Sequence, residues 1–172
     1  MRIFYRVRQL WNSLFTTPSL GEVAIAQEVL CPTLANLFLT LQPSEQNHSL
    51  WIYHKLLEQG ETNQDLLIAA LLHDIGKSCY PLSPWERIAV VLTKSLFPEC
   101  VKRWGQDLPR SWTRPYVVAE NHASWGADMA FRSGATPLIV SLIRRHHDLK
   151  VYSLDQPENQ LLFHLQRLDD ES

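Results

Sequence analysis

The sequence predicts an all-α protein, a single-domain helical bundle of seven to nine helices, and three observations carry that prediction. Every apolar segment of the 172 residues repeats at three- and four-residue spacing, and none sustains the two-residue alternation of a half-buried strand. Helix-opening signals recur along the chain, as in Ser83-Pro84 with Glu86, Cys31-Pro32 and Thr136-Pro137. The most apolar run, Leu66 to Leu72, leads directly into an adjacent His73 and Asp74. A run with no polar face is buried all round, so it marks the centre of the bundle.

Composition narrows the function classes. A hydrophobic content of 45% suits one globular domain with a sizeable core. The formal net charge of −2 gives no electrostatic footprint for an extended nucleic acid, so a small anionic molecule is the easier ligand. Cys31, Cys79 and Cys100 are odd in number and far apart, which argues against a disulfide framework or a cysteine zinc site and suits a reducing cytoplasm.

Taken in order, residues 1–15 place Ile3, Phe4, Val7, Leu10, Trp11, Leu14 and Phe15 at helical spacing, with Arg2, Arg6 and Arg8 on other faces. This amphipathic helix is suited to packing on the domain, with contact to a membrane surface or a partner as the alternative. Arg6, Arg8 and Asn12 interrupt it too often for a signal peptide. Residues 22–41 read as two short helices, the second opened by Pro32. A polar connection leads to a helix over residues 48–59 that Gly60 ends. It carries two histidines, and periodicity alone favours His54, which lies among Leu50, Trp51 and Leu57.

The central helix is expected over residues 63–75, with Thr62 and Asp65 as a capping box and Gly76 in the left-handed position after its end. Helices over residues 84–97 and 115–133 follow, separated by a short segment near Trp104 and a polar loop. Trp85, Trp104 and Trp112 are available to line a pocket wall. Val118, His122, Trp125 and Met129 form one inward stripe. In the helix from Thr136 to about Asp148, a turn of about 100° per residue sets His146 beside Ile139 and His147 beside Val140, with Arg144 and Arg145 pointing elsewhere. On the last helix, residues 157–170, Asp169 shares the face of Leu162 and Leu165 while Asp170 points away.

Burying His73 and Asp74 together costs several kcal/mol unless a polar cluster or a metal ion compensates. The stretch L-L-H-D-I-G-K resembles the signature of the HD-domain superfamily of metal-dependent phosphohydrolases, all-helical proteins named for this pair. The resemblance covers about Gln46 to the C-terminus. It divides the chain into amphipathic helices over residues 1–42 that pack on the core and an HD domain over residues 43–172.

In that family an upstream histidine, the pair and a downstream aspartate ligate a metal, which implies His48, His73, Asp74 and Asp169 here. H-S-L-W-I-Y is similar to the helix opening that carries the family's first histidine, so the resemblance selects His48 where periodicity selects His54. H-A-S-W-G-A-D and I-R-R-H-H-D resemble stretches of binuclear members, which implicates His122 and one or both of His146 and His147 in a second metal position. Leu149 to Tyr152 stand where the cyclic-dinucleotide subgroup has Gly-Tyr-Pro, so that subgroup is not supported.

The resemblance implies one or two divalent transition metals (Mn, Fe, Co, Ni or Zn) and hydrolysis of a phosphoester bond in a nucleotide or other small phosphorylated molecule by metal-activated water. Asp74 and Lys77 are the implied catalytic residues, and Lys77, Arg144 and Arg145 the candidate phosphate contacts. The alternative is a regulatory HD module that binds a nucleotide or a partner protein without catalysis. The complete ligand set favours the hydrolase.

Overall fold

The structure is a computed structural model and describes residues 17–148, 153 and 155–172. The amphipathic segment 1–15 and the departure at Leu149–Tyr152 lie outside the described residues. Within them the fold is all-α, with no strand. The helices are α1 (Leu20–Val29), α2 (Pro32–Leu39), α3 (Pro43–Glu58), α4 (Gln64–Leu72), α5 (Pro84–Leu96), α6 (Pro98–Gly105), α7 (Arg114–Arg132), α8 (Pro137–Arg145) and α9 (Pro157–Glu171). These nine helices of the described residues are joined by two 3-10 turns, Ile75–Cys79 and Ser111–Thr113.

Local chemistry sets most of the helix ends. Ser19 with Glu22 and Ser83 with Glu86 form reciprocal capping boxes at α1 and α5. Thr136 accepts from the Ile139 amide at the start of α8. Gly60 and Gly134, at φ of 80° and 88°, take the left-handed conformation that closes α3 and α7 with paired amide-to-carbonyl bonds. At α4 the cap is Asn63, whose side chain accepts from the Leu66 amide, one residue later than the expected Thr62.

α4 lies at the centre. Leu66, Ala69, Ala70, Leu71 and Leu72 have no exposed surface, and the helix packs against α2, α3, α8 and α9. Ala26, Leu30, Leu34 and Phe38 of α1 and α2 belong to the same hydrophobic cluster as α4, α8 and α9. The first two described helices and the segments after residue 43 therefore share one core.

The end of α4 corrects the expectation of one helix from Asn63 to Ile75. The helix stops at Leu72, His73 follows as its cap, and Asp74 (φ −97°, ψ 1°) begins the 3-10 turn. Gly76 is not left-handed. It is there because α7 crosses at contact distance. A Cβ on Gly76 would stand 1.9 Å from the His122 carbonyl oxygen and 2.8 Å from the Gly126 amide nitrogen. A Cβ on Gly126 would stand 3.1 Å from the Gly76 nitrogen. This glycine pair lets the turn after Asp74 meet α7 backbone to backbone, and the same approach carries His122 to Asp74.

Gly76→Ala is therefore expected to destabilise the protein by about 3 kcal/mol or more, at or beyond the upper end of overpacking costs, because the obstructing atoms are backbone. Gly126→Ala should cost less, since its tightest contact is 3.1 Å. Urea unfolding of the two variants checks the order, and a Gly76→Ala protein as stable as the parent would contradict the packing argument.

Candidate metal centre

Five elements bring side chains to the turn after α4. His48 comes from the first half of α3, His73 and Asp74 from the end of α4, and His122 from the middle of α7. His146 and His147 follow α8, and Asp169 comes from the last turn of α9. His73, Asp74, His122 and His146 are buried, whereas His48 and Asp169 are partly open.

The donor atoms fall into two groups that meet at Asp74. In the first, His48 Nε2 is 3.2 Å from His73 Nε2 and 3.0 Å from Asp169 Oδ1. Asp74 Oδ2 lies 3.5 Å from His73 Nε2 and 3.9 Å from His48 Nε2. In the second, Asp74 Oδ1 lies 3.4 Å from His122 Nε2 and 3.9 Å from His146 Nε2. The ring of His147 packs against His122 and His146, at centroid separations of 4.7 and 4.3 Å. Each oxygen of one carboxylate thus faces a different set of imidazoles.

The backbone fixes which nitrogen of each ring faces inward. His73 Nδ1 is 2.9 Å from the Ala70 carbonyl, His122 Nδ1 is 2.9 Å from that of Val118, and His146 Nδ1 is 2.6 Å from that of Ile143. A carbonyl only accepts, so each Nδ1 carries a proton and donates it. A neutral ring then presents an Nε2 lone pair to the cluster, the tautomer that ligates metals. His122 Nε2 and His146 Nε2 are buried without a hydrogen-bond partner, which a protein core rarely tolerates unless a further group completes them.

The electrostatics suit a cation. Against the cost of burial, Lys77 and then His73 hold the Asp74 carboxyl well below its usual range. Against the same cost, His48 and then His73 do this for Asp169. Burial opposes a charge on His73, yet Asp74 and then Asp169 raise its pKa, which reports negative potential at Nε2. Burial and then His147 push His146 well below the usual histidine value. Ionised carboxylates, neutral buried imidazole and orphaned ring nitrogens are together a donor set that fits divalent transition metals. The residues that could hold one ion are His48, His73 and Asp74, with Asp169 against both histidines, and His122, His146 and His147 form another group.

The family model of the HD domain matches residues 46–170, well over half of the chain. The chain belongs to the HD-domain family. Neither a curated protein nor a solved structure matches it. HD domains bind divalent metals and are usually metal-dependent hydrolases, in keeping with the two groups around Asp74.

Of the two candidate histidines of α3, His48 joins the cluster and His54 stands edge-on to Tyr53. Other predicted residues of this HD domain sit differently from expectation. His147 is solvent-exposed rather than facing the core, because α8 ends at Arg145 and a helical turn no longer places it. Desolvation of its packed ring, then His122, still pushes its pKa down. Arg144 pairs with Asp128 and Arg145 with Glu158, and neither lines the cleft beside the histidines. Trp104 and Trp112 pack with Tyr116, and Trp85 is exposed.

That cleft, of about 250 Å³, opens beside His122 and His147 and is lined by Lys77, Arg87 and Lys94 among others. Lys77 Nζ is 2.5 Å from Asp74 Oδ2, so the sequence-predicted lysine lies at the edge of the cluster. Arg87 and Lys94 escaped the sequence reading. Their signal was present in α5 as the stripe Arg87, Val90, Val91 and Lys94, a basic, apolar, basic face with no motif attached.

Asp74→Ala is expected to abolish retention of divalent metal, since both groups share that carboxylate, while helical circular dichroism stays near the parent value. Elemental analysis of the purified proteins checks this, and equal metal content in the two would refute the assignment.

Proposed function

We propose that this HD-domain protein is a metal-dependent phosphohydrolase that cleaves a phosphoester bond in a nucleotide or other small phosphorylated molecule. The observation that carries the reading is the orientation of Asp74, with Oδ2 toward His48 and His73 and Oδ1 toward His122 and His146. A carboxylate presented in this way could serve two donor sets at once: His48 and His73, with Asp169, would hold one metal with it, and His122, His146 and His147 would hold a second. When bound, such metals activate water near neutral pH and stabilise the attacking and leaving oxygens at phosphorus.

The protein's own groups supply the rest. The carbonyls of Ala70, Val118 and Ile143 lock three imidazoles in the ligating tautomer before anything binds, so no reorganisation is needed there. Asp169 closes the first group on its open side, 3.0 Å from His48 Nε2. Lys77 borders both Asp74 and the cleft, and its ammonium is placed to meet a substrate phosphate oxygen. Cys31, Cys79 and Cys100 are free thiols outside the site, and no helix among the described residues is long and apolar enough to cross a membrane.

His122→Ala tests the reading. Metal content should fall from about two ions to about one per chain, and hydrolysis of a panel of phosphate monoesters and diesters should drop by orders of magnitude, because the second metal position is lost. A parent protein that saturates at one ion, with the variant fully active, would remove the binuclear reading. A fully loaded parent that hydrolyses no member of the panel would favour the regulatory module instead.

A further inference from the structure

The wall of the cleft opposite α7 has no part in holding metal, yet its composition is specific. Arg87, Val90, Val91 and Lys94 line it from α5 at i, i+3, i+4 and i+7, a single face of one helix. Val118 and Ala119 of α7 complete the aliphatic surface. Three cations, Lys77, Arg87 and Lys94, border the cleft against one carboxylate, Glu45.

Two of the three cations are already engaged. Lys77 is on Asp74. Arg87 bonds Gln42 and Ser44 and pairs with Glu45 at 2.7 Å, so it ties α5 to the start of α3 and neutralises the one acid of the lining among the described residues. Lys94 makes no salt bridge or hydrogen bond among the described residues. It shares the cleft with His147, the exposed member of the second histidine group. An uncompensated ammonium bordering a site that handles phosphate is matched to an anionic ligand.

Size points the same way. The cleft's volume of about 250 Å³ falls below the range of roughly 300–1,000 Å³ that accommodates drug-sized ligands. It has room for one compact organic arm on an aliphatic surface and little for a second. A phosphomonoester has one such arm and carries about −1.5 to −2 charge at neutral pH, whereas a diester has two arms and one charge.

We propose that Lys94 is an anion-binding, specificity-determining residue that makes this cleft selective for small phosphomonoesters over diesters. The inference rests on the hydrolytic reading above and specifies its substrate class. Lys94 holds the additional negative charge of the monoester beside His147, and the Val90 and Val91 stripe takes the single organic arm.

The test is equilibrium binding of inorganic phosphate and of dimethyl phosphate to metal-loaded parent, Lys94→Met and Lys94→Arg, with metal content and circular dichroism recorded for each. Lys94 is exposed on its helix, so the fold should withstand both changes. The parent should bind phosphate at least about tenfold tighter than dimethyl phosphate, and Lys94→Met should weaken phosphate binding by about tenfold, the loss typical of one charged contact. Dimethyl phosphate binding should change little, and Lys94→Arg should recover most of the phosphate affinity. Arg144→Met, outside the cleft, should bind as the parent does.

Unchanged phosphate binding in Lys94→Met, or equal parent affinity for the two probes, would overturn the proposal even if the protein hydrolyses phosphoesters. Lys94-dependent phosphate binding by a parent that hydrolyses nothing would instead overturn the hydrolase reading and leave the anion site standing.

Discussion

A carboxylate with 2% of its side chain exposed sits at the meeting point of five helices, and the architecture follows from keeping it ionised there. Removing such a group from water costs several kcal/mol unless opposite charge and hydrogen-bond donors surround it closely. Asp74 has Lys77 at 2.5 Å and four histidine nitrogens between 3.4 and 3.9 Å. α4 is apolar on every side because its task is to carry that residue into the core. The Gly76 and Gly126 pair removes the two Cβ atoms that would hold α7, and with it His122, away from Asp74. The hydrophobic cluster supplies the stability, and the glycine crossing aims it.

Carbonyl-to-Nδ1 bonds give the histidines a division of labour that burial alone would not. Each such bond is local, from a ring to a carbonyl three or four residues earlier, so the helix that delivers the ring also fixes its tautomer. The unmet requirement is displaced to Nε2 and concentrated at one point. Two buried nitrogens without partners, next to a carboxylate held well below its ordinary pKa, form a donor set that could hold a divalent cation.

How much of this was legible in the sequence follows from the range of each interaction. The capping box at Ser83 and the glycines that close α3 and α7 act within a few residues, so the pattern places those ends. The caps at Ser19 and Gln42 open α1 and α3 earlier than apolar periodicity alone indicates, at Leu20 and Pro43. Periodicity carries α4 on to Ile75, whereas the fold has a 3-10 turn there, packed at Gly76 against α7 about 50 residues later, a long-range contact that periodicity does not record. His147 was turned inward by extrapolating a helix that ends at Arg145. His48 and His54 lie about 120° apart around α3, and the face that the fold buries is that of Ile52 and Leu56, which brings His48 to His73 and Asp169. Arg144 and Arg145 are candidate phosphate contacts by charge, and the acids with which the fold pairs them lie 16 and 13 residues away in the chain. Arg87 and Lys94 were invisible for the converse reason, being ordinary helix cations until the fold sets them beside the histidines.

The two walls of the cleft are built on different physics. α7 is buried at Val118, His122, Ala123 and Ala127 and is locked to the turn after Asp74, so it cannot shift without disturbing the cluster around Asp74. α5 has no fully buried residue and is fastened instead by polar links from Arg87 to Glu45, Glu86 to Arg114, and Thr93 to the Tyr116 hydroxyl. Such links contribute far less per contact than the burial that holds α4, so α5 belongs to the low-stability end of the fold. A division of this kind lets the histidine and aspartate cluster stay rigid while the opposite wall of the cleft is free to vary. Substitution at Val90, Val91 or Lys94 reshapes the cleft without touching an imidazole, whereas no residue of α7 facing the cleft has that freedom.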